Sequence, residues 1–179
     1  MKKTNTLQQS LLSVTRILFL FVGLFALTIV ISDAWNLIPP TVVLQRWTLA
    51  ALVLVVNGGV WYAARQTTSN TLMRAYAWIL SLTMIAVATV LVFAQRGMAS
   101  KAVALYMLPL IIISVLRSRV ALVTTAILAL ASYSLAVMRY FVTSPGEGYK
   151  VELYAELLFY GGFFFVVAGL LYALAVHRK

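Results

Sequence analysis

The chain has 179 residues, of which 63% are hydrophobic and only 10% charged, with 14 Lys and Arg against 4 Asp and Glu. So few charges cannot cover the apolar surface of a soluble domain of this size, and a polytopic all-α membrane protein is the direct alternative. The net charge of +10 argues for no nucleic-acid partner, because the basic residues stand scattered between apolar runs, where they act as topology signals and lipid headgroup contacts.

The charge-free intervals predict six transmembrane helices over residues 14–33, 43–64, 74–95, 101–117, 119–141 and 151–177, forming a single domain over 1–179. Lys2, Lys3 and Arg16 precede the first apolar run as in a signal peptide. No A-x-A site follows that run, so it reads as an uncleaved first helix. Pro39-Pro40 imposes an extended turn between helices one and two. Trp35, Trp47, Trp61 and Tyr62 fall at helix ends, where amphipathic rings favour the membrane interface. Pro109 is expected to kink helix four and free a backbone carbonyl.

Helix four is short, so its crossing is tested by charge. With six spans and an inner N-terminus, nine basic residues lie inside (Lys2, Lys3, Arg16, Arg65, Arg74, Arg117, Arg119, Arg178, Lys179) and five outside (Arg46, Arg96, Lys101, Arg139, Lys150). If helix four does not cross, the count becomes seven against seven. The positive-inside rule therefore favours six spans with both termini cytoplasmic, in a bacterial inner membrane. All four acids, Asp33, Glu147, Glu152 and Glu156, then face outward.

Polar residues on apolar helices are the candidates for function. Glu152, Glu156 and Tyr160 are spaced by four and share a face of helix six. Arg139 ends a stripe on helix five made of Thr125, Ala129, Ser132 and Ala136, and stands at the same end of the membrane as Glu156. An Arg139–Glu156 pair relieves both charges, and with Glu152 and Tyr160 it outlines an outward pocket for a small ligand or ion. Asp33, Trp35 and Arg46 flank the first outer turn and are read either as a second rim of that pocket or as headgroup anchors. Asn57 is expected to hydrogen-bond to another helix, Gly58 and Gly59 to permit close approach, and Gly162 and Gly169 to mark a packing stripe. No Cys is present and the one His is His177, so neither thiol chemistry nor a metal cluster is available. No catalytic set and no cofactor motif is found.

The residues 105–109 (Leu-Tyr-Met-Leu-Pro), Arg117 and Arg119, and the helix reaching Ala131-Ser132-Tyr133-Ser134 carry a resemblance. So do Glu147-Gly148-Tyr149-Lys150, Glu152-Leu153-Tyr154 and the Phe-rich last helix. Residues 102–171 resemble the N-terminal membrane region of bacterial sensor histidine kinases. The resemblance implies a non-catalytic sensory input module, a homodimer, and a cytoplasmic signalling effector. Within these 179 residues there is no dimerisation helix, phosphoacceptor His box or ATP-binding domain, so the effector is expected further along the chain or on a separate partner. Two other readings stand beside this one. The length, six helices and internal termini are similar to the substrate-capturing subunits of energy-coupling-factor vitamin transporters. The small-residue stripes also suit a structural subunit of a membrane complex.

Overall fold

The computed structural model describes residues 6–95, 100–143 and 152–177, with side chains of the last helix described over 155–175. Among the described residues every regular element is a helix: α1 (Thr6–Ala34), α2 (Pro40–Gln66), α3 (Asn70–Ala94), a 3₁₀ segment (Lys101–Tyr106) running into α4 (Met107–Ser114), α5 (Arg119–Thr143) and α6 (Glu152–His177). Five of them, all but α4, are long and apolar enough to cross a membrane. The chain divides into two compact units, one through Tyr76 and one from Ala77.

The first unit is the α1–α2 hairpin with the start of α3. Its turn follows from local chemistry. Asn36 adopts a left-handed φ of 51°, and the Leu37 and Asn36 N–H groups donate to the Ser32 and Asp33 carbonyls. This is a Schellman ending, in which a short polar side chain tolerates the conformation glycine usually takes. Pro39 then caps α2 and Pro40 occupies its first position, where a missing N–H costs nothing. Ile29, Val43 and Ala50 form the apolar contact near the turn, with Phe25 and Ile38 packed against it.

Polar side chains fix the rest of the hairpin. Gln8 Nε2 donates to the Ala64 carbonyl at 2.7 Å and to the Thr67 carbonyl at 3.2 Å. These bonds tie the first described turns of α1 to the end of α2. Asn57 Nδ2 donates to the Thr15 carbonyl on α1 at 2.9 Å. Gly58 and Gly59 have a different role from the one expected: a Cβ at either meets nothing within 4 Å, so neither is a point of close approach.

In the second unit α4, α5 and α6 pack mutually. The core is built from Met84, Leu110, Ile112, Ile113, Leu122, Tyr106, Tyr133 and Phe164. Ser81 Oγ on α3 donates to the Pro109 carbonyl at 3.4 Å. Pro109 is the third residue of α4, just after the winding changes from 3₁₀ to α. The six 3₁₀ residues and eight α residues extend about 24 Å, short of the ~30 Å hydrocarbon core. Arg117, at φ 50°, turns the chain. Ser118 then caps α5 by accepting from the Ala121 N–H at 3.3 Å.

Candidate functional site

The site is an aromatic cluster around Tyr133, which lies on α5 and is fully buried. Ala126, Ala129, Tyr133, Ala136 and Val137 share the buried face of α5. The small members of this set leave room for one large ring. The Tyr133 ring meets Tyr160 of α6 edge-on at 5.4 Å and Tyr106 at 6.1 Å. Tyr106 in turn lies 5.7 Å from Phe164. Such edge-to-face and tilted pairs are favourable beyond their buried area.

The three phenols are not equivalent. Thr89 Oγ1 donates to the Ile85 carbonyl at 2.7 Å and has one proton to give. The 2.8 Å bond between Thr89 and Tyr106 is therefore donated by the Tyr106 hydroxyl. Among the described residues the Tyr133 hydroxyl is buried with no hydrogen-bond partner, and so is Oε2 of Glu156. Glu156, Tyr160 and Tyr106 are the electrostatic neighbours of Tyr133. Glu156 stands one helical turn before Tyr160, on the same face. A buried polar atom without a partner costs about 1–3 kcal/mol, so two at one place mark a site suited to a ligand that satisfies both.

Tyr160 also lines a cavity of about 160 Å³, bounded by Ser100, Lys101, Val103, Ala104, Met107 and Phe163. The 3₁₀ segment forms one wall, anchored where the Ser100 hydroxyl accepts from the Ala102 N–H at 3.1 Å. Glu156 and Tyr133 do not line this cavity; beside it, their carboxylate oxygen and phenol suit a small ligand bearing N–H or O–H donors. Among the described residues no group of three His, Asp or Glu converges as a metal site.

The residues expected at the site are only partly brought together. Glu156 and Tyr160 belong to it. Arg139 is exposed and, among the described residues, forms no ion pair with Glu156. Arg139 follows Tyr133 by six positions and therefore sits about 120° around α5 from it. Glu152 begins α6, but its side chain lies outside the described residues, as does the turn carrying Glu147. Asp33, Trp35 and Arg46 belong to the first unit. Asp33 is exposed, Arg46 half-buried, and Trp35 71% exposed. Gly162 and Gly169 have no neighbour that a Cβ would meet, whereas a Cβ on Gly161 would lie 3.2 Å from the Leu130 side chain. Gly161 is thus the close-approach glycine between α5 and α6. Tyr133 and Tyr106 stand in the segments that carry the resemblance but are not among the site residues expected from sequence. The available signal was a lone aromatic inside the small-residue face of helix five.

No protein-family model, no curated protein and no solved structure matches the chain.

Proposed function

We propose that this protein is a non-catalytic membrane input module of the bacterial inner membrane, with both termini cytoplasmic. A small donor-bearing ligand at the Glu156–Tyr133 site shifts the packing of α5 against α6. The shift passes along α6 to a cytoplasmic effector of histidine-kinase type. The observation that carries this reading is the pair of unpartnered buried polar atoms, Tyr133 Oη and Glu156 Oε2, inside one aromatic cluster.

The test uses the full chain in its native membrane. Glu156→Gln removes the charge at constant shape, and Tyr133→Phe removes the hydroxyl. Transcription across the genome is compared with that of a deletion strain. Both variants are expected to shift the same genes as the deletion, with protein levels unchanged. If both match wild type, the site is not the input. The cavity beside Tyr160 favours a second reading, a solute-capturing uptake subunit. That reading replaces the first if deletion leaves transcription unchanged but lowers accumulation of a solute.

Topology is tested separately, since the chain contains no Cys. Single Cys substitutions at Leu37, Thr68 and Ser118 are exposed to a membrane-impermeant maleimide in intact cells. The expected pattern is labelling at position 37 and protection at 68 and 118. Labelling at 118 would show that the short segment Lys101–Ser114 does not cross.

A further inference from the structure

At the other end of the α5–α6 pair lies a groove of about 210 Å³ lined by Arg119, Leu122, Val123, Phe165, Ala168, Gly169 and Tyr172. Its walls are apolar, and its one charged group is Arg119 at the mouth. The Arg119 guanidinium stacks on the Tyr172 ring, 4.6 Å from its centroid. Stacking holds the plane of the guanidinium and leaves its N–H edge free to fork onto an oxyanion. Glu156, the carboxylate of this unit whose side chain is described, precedes Tyr172 by 16 positions on α6. That is about 24 Å along the axis, too far to neutralise Arg119. Between Tyr172 and Phe165 the groove runs about 10 Å along α6. Gly169 forms part of its floor, and a Cβ there meets nothing within 4 Å.

We propose that this groove binds one membrane phospholipid. Its acyl chain lies along Leu122, Val123, Phe165 and Gly169, and its anionic phosphate takes the free edge of Arg119. Charge complementarity selects this occupant. A second copy of a chain with net charge +10 brings mainly like charge to the Arg119 mouth, whereas an anionic headgroup brings the opposite sign.

The full chain, purified in mild detergent with equimolar phosphatidylglycerol and phosphatidylcholine of identical acyl chains, is examined by native mass spectrometry. Phosphatidylglycerol is expected to be retained about five-fold over phosphatidylcholine, a preference that Arg119→Gln abolishes. Gly169→Leu fills the groove and is expected to lower retention of both lipids, with melting in lipid-free detergent unchanged. If that melting falls, Val123→Trp, on the exposed wall, provides the same block. Equal retention of the two lipids by the wild type, or an unchanged preference in Arg119→Gln, overturns the proposal. A free phosphate source is distinguished by competition. Dioctanoyl phosphatidylglycerol is expected to displace the bound lipid and glycerol 3-phosphate is not. Equal displacement by both would remove the acyl chain from the site.

Discussion

The two units differ in how some of their buried polar groups are partnered, although Ser81 and Tyr106 of the second unit are hydrogen-bonded as well. In the α1–α2 hairpin, Gln8 and Asn57 reach across and donate to backbone carbonyls. In the second unit, Tyr133 Oη and Glu156 Oε2 are buried and donate to or accept from nothing among the described residues. A helix–helix hydrogen bond inside a membrane is worth about 0.6 kcal/mol on average and up to ~1.7, enough to fix which faces of two apolar helices meet. Orphaned groups do the reverse, destabilising the state that contains them until a partner arrives. Under the proposed function, the second unit holds the responsive site, and the hydrogen bonds of the first hold its hairpin together. Asn57 shows the limit of the contrast, because its Oδ1 also lacks a partner.

Four substitutions at three positions sharpen this contrast, and the largest effect is expected at Tyr133. Tyr133→Ala removes a fully buried ring that touches two others, and should cost about 3–5 kcal/mol. Thermal unfolding of the purified chain in detergent checks this. Tyr133→Phe keeps the ring and deletes only the unpartnered hydroxyl. It is expected to leave the melting temperature unchanged or raise it. A clear loss in Tyr133→Phe would mean that the hydroxyl is satisfied, and the contrast between the units would fail.

Asn57→Ala comes next. It deletes the 2.9 Å bond to Thr15 together with the orphaned Oδ1, so the two effects partly offset. The expected loss is about 1 kcal/mol, read in the same melt. Glu156→Gln, which keeps an oxygen and adds donors, is expected to stay within about 1 kcal/mol of wild type. A stability-neutral Glu156→Gln that still alters ligand response would separate function from folding.

Much of the architecture was legible because apolar length and helix-end chemistry are local. The five long helices and the Pro39-Pro40 turn follow from residues close in sequence, and Asn57 stands out as a lone amide inside an apolar run, although its partner Thr15 is 42 positions away. What was illegible is rotation about each helix axis. Arg139 and Glu156 stand at matching ends of α5 and α6, which sequence can show. Whether they face each other depends on which stripe of α5 is buried, and that is decided by Tyr133 packing among small residues. The winding of the α4 segment was illegible for a different reason. A 3₁₀ start stretches six residues further than α winding would, and the apolar pattern of residues 101–117 does not distinguish the two.

The glycines of α6 give the smallest and most local test of that rotation. Gly161 and Gly162 are adjacent, hence about 100° apart around the helix. A Cβ on Gly161 would lie 3.2 and 3.3 Å from the two methyl carbons of Leu130, while one on Gly162 would meet nothing within 4 Å. Gly162→Ala should therefore gain helix propensity, about 0.8–1 kcal/mol, without a steric cost. Gly161→Ala gains the same propensity, but Leu130 must give way, so the net change is expected to be near zero or unfavourable. The difference between the two melts is the quantity of interest. Equal gains would mean that α6 is turned away from α5 at this level. Tyr160, the residue before Gly161, would then turn away from Tyr133 as well, and the second unit would lose the aromatic contact that sets it apart from the pinned hairpin.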